Sequence, residues 1–344
     1  MSVAELPERL DQPEAGPAAF GTAVLFILAI LIGSGLGLAA PSVGGSLAGG
    51  MDATLLTMIC LLFFELRLGA VFRAFGNLRF LAIAWCANFV IVPTIGFTIA
   101  SLVLSGEPLL FAGLMIYFLA PCTDWFLGFT RMARGDTELG AALIPINLIT
   151  QLALFPLWLW LFTPATGLVD FGSMPGILVQ WFVLPLIGAQ ALRVGLAWIL
   201  PVKTCERLLS LTSQLLPLVL AALIVQIFGA HVTSITANVD VFAAIAAAVF
   251  LFFAANLYLG AGLARFSRLA HPQHVLLSMT LAARNAPLML ALTAVAIPDQ
   301  PLVLAVIVFG MLVEIPHLTA LKQLLLRRSP TKRGGLDVRR TNHI

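Results

Sequence analysis

Side chains that could do chemistry interrupt an apolar stretch of the sequence at residues 119–124, LAPCTD. Pro121 cannot continue a helix, so we predict a helix break there and a new helix start directly after it. The free N–H groups of such a start favour the thiolate form of a neighbouring cysteine, here Cys122. A thiolate is a soft ligand that selects thiophilic partners. The stretch therefore predicts a substrate site that contains Cys122 and Thr123.

Charged residues flank two prolines in apolar surroundings: Asp124 lies three residues after Pro121, and Arg284 three residues before Pro287. A charge at the centre of a bilayer costs at least about 2.5 kcal/mol, so such residues face a partner or water and mark a function. We expect Asp124 and Arg284 to form an ion pair or to share a water-filled site next to Asn285. The alternatives are a buried pair with a structural role alone, and an Arg284 that binds an anionic substrate directly.

Further polar residues inside apolar segments are candidates for lining a site: Asn88, Asn147 and Asn256. Glu314 is a candidate coupling or gating residue, and with His317 it has the i, i+3 spacing of a carboxylate–histidine metal site. Such sites draw on several helices, and the sequence has no second copy, so these two residues predict no metal ion. No HExxH, Walker or dinucleotide-binding motif occurs, so we predict neither an enzyme nor a cofactor.

The elements that position these residues follow from composition. Of the 344 residues, 60% are hydrophobic and 10% charged, against roughly 25% charged in a soluble domain. The chain is therefore predicted to be an all-helical integral membrane protein whose spans need about 20 apolar residues each. Ten such spans are predicted, at residues 19–40, 47–65, 80–104, 108–133, 138–163, 173–193, 207–229, 240–264, 273–296 and 300–325.

Basic residues predict the orientation and the ends of the chain. All Lys and Arg residues except Arg284 fall on the side that holds both termini, which predicts cytoplasmic termini in the plasma (inner) membrane. Residues 1–18 are expected to form a cytoplasmic segment, 19–325 the transmembrane domain, and 326–344 a basic tail. Attraction to anionic lipid explains such a tail, so we predict no nucleic-acid partner.

Three pairs of polar or helix-breaking residues recur at nearly one offset. Asn88 and Asn256 are 168 residues apart, Pro121 and Pro287 are 166 apart, and Asn147 and Glu314 are 167 apart. Secondary transporters often consist of two inverted repeats whose broken helices cross at the substrate site. We therefore predict inverted five-helix repeats at about 19–163 and 173–325, with broken fourth and ninth helices.

Residues 113–162 resemble the fourth and fifth helices of the arsenite efflux permeases in the bile acid/sodium symporter superfamily. The similar features are the steps Ala120-Pro121-Cys122 and Arg134-Gly135-Asp136, the polar Asn147, and VEIPHL at residues 313–318. The resemblance extends over about 300 residues and implies the ten-span fold. It also implies export of trivalent arsenic, bound at Cys122 and coupled to inward movement of protons. We expect no metal site apart from this possible arsenic site.

One departure from that family lies in the ninth helix. The family has an Asn-containing break followed by a glutamate; here Asn285 matches, but Pro287 stands at the place of the acid. The missing carboxylate and the fixed charge of Arg284 make sodium coupling less expected. Asp124 is then the expected protonatable group.

Three hypotheses follow. The leading one is a secondary transporter that exports arsenite or a related metalloid by proton antiport. The second is an organic-anion carrier of the bile acid type, sodium-dependent or not, in which Arg284 binds a carboxylate. The third is a sensor or scaffold without transport. The sequence leaves the oligomeric state open.

Overall fold

The computed structural model describes residues 15–66, 77–123, 125–162, 172, 174–237, 239–298 and 300–328. Within these residues the regular secondary structure is helical, and the only β interaction is an isolated antiparallel bridge. Seven helices of this part are long and apolar enough to cross a membrane, and the count becomes eight if a pair bent by 48° is one span. The chain is therefore a multi-pass membrane protein.

The helices pack in two groups. We call the first the scaffold group; it comprises α1 (Ala15–Ala39), α2 (Pro41–Ala48), α3 (Met51–Glu65), α8 (Met174–Ile199) and α9 (Val202–Thr236). Helix α9 is its centre, because it packs against α1, α2 and α3.

The second group, which we call the crossing group, contains the remaining helices. They are α4 (Leu78–Val103), α5 (Pro108–Leu119), α6 (Phe126–Met132), α7 (Thr137–Phe162), α10 (Val239–Phe266), α11 (His271–Ala282), α12 (Ala286–Ala296) and α13 (Pro301–Arg327). The groups meet where α13 contacts α1 and α9 and where α12 contacts α3.

Glycines let the scaffold helices approach closely. A Cβ atom at Gly33 would lie 2.7 Å from the carbonyl oxygen of Val225, and one at Gly37 would clash with that of Gly229. Small residues are used in this way between membrane helices, where van der Waals contact drives association. Helix α1 therefore packs backbone to backbone on α9, while Leu31 and Ile32 on α1 are exposed.

The C-terminus of α3 is satisfied by side chains of α8. The Arg193 guanidinium donates to the carbonyl oxygens of Phe64 and Glu65 at 3.1 Å each, and to that of Leu66. The Gln190 amide donates to the Phe63 carbonyl at 2.6 Å. The last carbonyls of a helix have no partner within the helix, and a cation there also complements the helix dipole.

Two spans contain a widened π turn, and each turn comes just before a proline. In α4 the π turn is Ala87–Ile91 and Pro93 follows; in α8 it is Val179–Val183 and Pro185 follows. A proline in a helix lacks an N–H group and clashes with the carbonyl of the preceding turn, and the wider turn relieves this. The turn in α4 includes the buried Asn88.

Two apolar helices of the crossing group, α5 and α12, are too short to span a bilayer alone. Helix α5 ends at Leu119 and α6 begins at Phe126, so a first break separates them; α11 ends at Ala282 and α12 begins at Ala286, which defines a second break. We call these the first and second breaks.

Candidate functional site

The two breaks meet in space and exchange backbone hydrogen bonds. The Cys122 N–H donates to the Ala283 carbonyl at 3.0 Å, and the Asn285 N–H donates to the Ala120 carbonyl at 2.9 Å. These two bonds form the antiparallel bridge between Pro121 and Arg284. A buried backbone group without a partner is costly in a membrane. Each break therefore satisfies polar groups that the other leaves free.

The local sequence explains where the helices stop. Ala120 precedes Pro121 and has the extended dihedral angles φ −103° and ψ 111°, as the proline ring requires of its neighbour. Ala283 is also extended, with φ −80° and ψ 136°, although no proline follows it. The second break is thus held open by its pairing with the first.

Pro287 does not interrupt the backbone hydrogen bonds as the sequence predicted. The break lies at residues 283–285, and Pro287 belongs to the first turn of α12, where a missing N–H group costs nothing. Asn285 is the N-cap of that helix, and its side-chain oxygen accepts from the Leu288 N–H at 3.3 Å. Its amide nitrogen donates to the Thr123 hydroxyl at 2.9 Å. Asn285 therefore links both breaks through its side chain as well.

Cys122 is fully buried at the crossing. The prediction that a helix begins directly after Pro121 is wrong, because α6 begins only at Phe126. Cys122 lies instead in the extended segment, and its own N–H group is bonded to Ala283. The thiol thus lies beside two half-helix ends rather than in the first turn of one helix.

Glu314 on α13 binds both breaks at once. Its Oε1 accepts from the Trp125 indole N–H at 2.8 Å and from the Arg284 backbone N–H at 3.0 Å. Its Oε2 accepts from the Tyr117 hydroxyl at 3.0 Å. The carboxylate is fully buried. Three donors from three separate segments therefore converge on one carboxylate at the crossing.

The Arg284 side chain is also fully buried, and it points back toward helix ends. One terminal nitrogen donates to the Phe118 carbonyl at 3.0 Å; the other donates to the Thr280 and Leu281 carbonyls at 2.8 Å each and to Asn88 Oδ1 at 3.3 Å. The guanidinium carbon lies 5.7 Å from the centre of the Phe252 ring.

The predicted polar lining residues separate into two kinds. Asn88 has partners: besides accepting from Arg284, its amide donates to the Thr280 hydroxyl at 3.2 Å. Asn147 and Asn256 are fully buried, and their side-chain amides have no hydrogen-bond partner among the described residues. The same holds for Gln151, one turn beyond Asn147 on α7. Buried amides of this kind are free to bind water or a ligand.

Two further predictions concern Asp124 and His317. Asp124 lies outside the described residues, so its pairing with Arg284 stays a prediction. His317 stacks on Phe253 with the ring centres 4.2 Å apart. In the described part of the chain, no three His, Cys, Asp or Glu side chains are grouped closely enough to hold a metal ion.

The sequence reasoning missed Tyr117 and Trp125. Both lie in apolar segments, where aromatic side chains usually pack against lipid or other helices. Tyr117 is one of only two tyrosines in the chain and lies inside a span rather than at its edge, which was an available signal. Trp125 directly follows the charged end of the first break, and a buried indole N–H needs an acceptor.

Comparison with known proteins gives two results. A family model described as the sodium bile acid symporter family matches residues 53–238. Over 118 residues the chain is 32% identical to the arsenical-resistance protein Acr3 of Corynebacterium glutamicum. That alignment covers 31% of this chain and 32% of the relative, so the chain matches about a third of the relative's length. The family match includes the first break and ends before the second.

Proposed function

The chain belongs to the sodium bile acid symporter family, and from this premise we propose that it is a secondary transporter that exports trivalent arsenic, as arsenite, in exchange for protons. The observation that carries the proposal is the buried Cys122 thiol at the point where two broken helices pair. The partial similarity to an arsenical-resistance protein supports this choice of substrate.

The proposed architecture has ten spans in two inverted repeats. Helices α5 and α6 form the broken fourth span, and α11 and α12 form the broken ninth; with the bent α2–α3 pair and the seven long helices this gives ten. The antiparallel bridge between Pro121 and Arg284 supports it, because inverted repeats bring equivalent breaks together head to head. Both termini are then cytoplasmic, in the plasma membrane.

Cys122 is proposed as the arsenic ligand. Arsenous acid, As(OH)3, is neutral at physiological pH and thiophilic. When the Cys122 sulfur bonds to arsenic, one As–OH bond breaks, and the hydroxide leaves with the thiol proton as water. The reaction has no change of oxidation state, so it reverses by hydrolysis on the other side of the membrane. Thr123 and Asn285 flank the thiol and are proposed to bind the remaining hydroxyl groups.

Glu314 is proposed to couple transport to protons. In its ionised form the carboxylate accepts three hydrogen bonds, which join Tyr117, Trp125 and the backbone of the second break. A proton on the carboxyl turns one acceptor site into a donor and removes the negative charge that strengthens all three bonds. Protonation would thus loosen the crossing. Asp124 remains the second proposed coupling residue, and Asn88, Asn147 and Asn256 are proposed to line the path.

An organic-anion carrier is less well supported. It requires a free cation, whereas both terminal nitrogens of Arg284 donate to protein oxygens and the side chain is fully buried. A sensor or scaffold without transport has no observation in its favour.

The test is uptake of arsenite into everted membrane vesicles with an imposed proton gradient, with and without sodium. Wild type and Cys86→Ser should accumulate arsenite when the gradient is present, and sodium should make no difference. Cys86 is the matched control, because it is an exposed cysteine in a neighbouring span. Cys122→Ser should not accumulate arsenite. Absence of gradient-dependent uptake in wild type would overturn the proposal.

A further inference from the structure

Both terminal nitrogens of the Arg284 guanidinium donate to oxygen atoms that carry no formal charge, whereas its Nε has no hydrogen-bond partner among the described residues. Its acceptors are the backbone carbonyls of Phe118, Thr280 and Leu281 and the side-chain oxygen of Asn88. We call these four oxygens the oxygen cage. Phe252 closes one side, where its ring faces the guanidinium and also stacks on Phe118 with ring centres 3.9 Å apart.

The cage consists mainly of helix C-termini. Phe118 is in the last turn of α5, and Thr280 and Leu281 are in the last turn of α11. Carbonyls in a last turn have no partner within their helix, and the negative ends of both helix dipoles point at this place. In secondary transporters, half-helix C-termini and free carbonyls of this kind coordinate the coupling cation. The geometry is therefore that of a site for a small monovalent cation.

We propose that Arg284 is a tethered cation, which permanently occupies an alkali-cation site at the crossing and so makes transport independent of sodium. The guanidinium supplies the positive charge that the two helix ends need, but it cannot leave. Removing it opens the cage, and a free monovalent cation then binds there. The inference rests on the proposed transport function in its transport measurements, whereas its binding measurements need no substrate.

Binding to the cage is measured first, without any substrate. Thermal unfolding of purified wild type and Arg284→Ala is followed in detergent at constant ionic strength, with sodium, with low millimolar methylguanidinium, or with tetramethylammonium, which has no N–H group and whose methyl groups keep its charge away from the cage oxygens. A ligand that binds only the folded state raises the Tm with its concentration. Wild type should have the same Tm in all three salts. Arg284→Ala should have a lower Tm that rises and saturates with sodium or methylguanidinium.

A matched control is Arg193→Ala. Arg193 also donates to three carbonyls at a helix C-terminus, but outside the crossing group. Its loss should lower the Tm without making arsenite uptake respond to either cation. Arg284→Lys keeps the charge and should be insensitive to added cations.

Transport is measured second, as arsenite uptake into proteoliposomes. Arg284→Ala should lose most uptake in tetramethylammonium and regain it with sodium or methylguanidinium. If the Tm of Arg284→Ala depends on the cation but no variant takes up arsenite, wild type included, the cation site is supported and arsenite is refuted as the substrate. If arsenite uptake by wild type is intact and Arg284→Ala ignores every cation in both measurements, the tethered-cation proposal is wrong.

Should Arg284→Ala not fold in tetramethylammonium, it is expressed and purified with methylguanidinium, which should restore folded protein. Arg284→Gln, whose amide fills part of the volume, is measured in parallel and should show the same cation dependence. Failure of both variants to fold in any of the salts also overturns the proposal, because added cation is expected to complete the cage.

Discussion

The two breaks share a backbone arrangement and differ in what their side chains do. The first break presents a thiol and a hydroxyl, Cys122 and Thr123, at the crossing. The second sends the Arg284 side chain away from the bridge and into the oxygen cage. The pairing of the breaks is thus a common framework, in which one break offers groups that can bind a substrate and the other supplies a fixed charge. Two breaks that pair through one backbone bridge need not carry equivalent chemistry.

Removing the group that binds both breaks should have the largest effect. Glu314→Ala leaves the Trp125 indole N–H and the Arg284 backbone N–H without their acceptor, at about 1–3 kcal/mol each, whereas the Tyr117 hydroxyl keeps the Gly310 carbonyl as a partner. We expect a destabilisation of about 2–6 kcal/mol with loss of transport. Thermal unfolding and arsenite uptake measure it. Glu138→Ala, which removes an exposed carboxylate in the first turn of α7, is the control and should leave both near wild type.

Variants of Cys122 test substrate binding separately from the backbone bridge. Cys122→Ala should abolish arsenite uptake and change stability by only about 1 kcal/mol, because the backbone N–H that holds the bridge is unchanged. Cys122→Ser should behave in the same way for transport. Full uptake by either variant would mean that the Cys122 thiol does not bind the substrate.

Gly310 tests how firmly the first break is anchored to α13. A Cβ atom there would lie 2.7 Å from the Tyr117 ring, and the Tyr117 hydroxyl oxygen lies 3.0 Å from the Gly310 carbonyl oxygen, which is its alternative acceptor to Glu314. Gly310→Ala should therefore destabilise the protein by about 1–3 kcal/mol through overpacking and reduce uptake. Gly188→Ala is the control, since no atom lies within 4 Å of its Cβ position. An unchanged Tm in Gly310→Ala would show that Tyr117 can move without cost.

The smallest effect concerns the side-chain link between the breaks. Thr123→Val and Asn285→Ala each remove one end of the hydrogen bond between them. A double-mutant cycle on the unfolding free energy should give a coupling of about 0.5–1.5 kcal/mol. Asn285→Ala alone should cost about 1 kcal/mol more than Thr123→Val, because it also removes the N-cap of α12. A coupling of zero would leave the backbone bridge as the sole link.

Much of the fold was predictable because a segment that crosses the bilayer has to be apolar and has to pair its own backbone polar groups. Long apolar stretches had to become helices, and the observed ends differ from the predicted ones by up to seven residues: α13 ends at Arg327 instead of 325, and α9 is Val202–Thr236 instead of 207–229. The break at Pro121 was predicted from the missing N–H group, which is not sufficient by itself, because Pro145, Pro156 and Pro316 lie inside continuous helices. The second break was placed at Pro287 for the same reason, but the structure places it at residues 283–285.

The rest depends on contacts between distant segments. Ala283 is extended because its carbonyl pairs with Cys122, and no local pattern around residue 283 indicates that. Likewise, the charges of Glu314 and Arg284 could be read as functional from their cost in a membrane. The partners of Glu314 include Tyr117 and Trp125, which lie more than 100 residues away in the chain. The partners of Arg284 are mainly carbonyl oxygens of the backbone, which carries no sequence signal.

The bridge between the breaks also constrains how the protein is made. Pro121 pairs with Arg284, so the first break waits for the second to be synthesised. At typical rates of chain elongation this interval is roughly 10–30 s. During that time the Ala120 carbonyl and the Cys122 N–H cannot form their native bonds, and water or insertion machinery has to satisfy them. The nascent chain therefore has open backbone groups at its first break, and the Cys122 thiol lies beside them until the second break is synthesised.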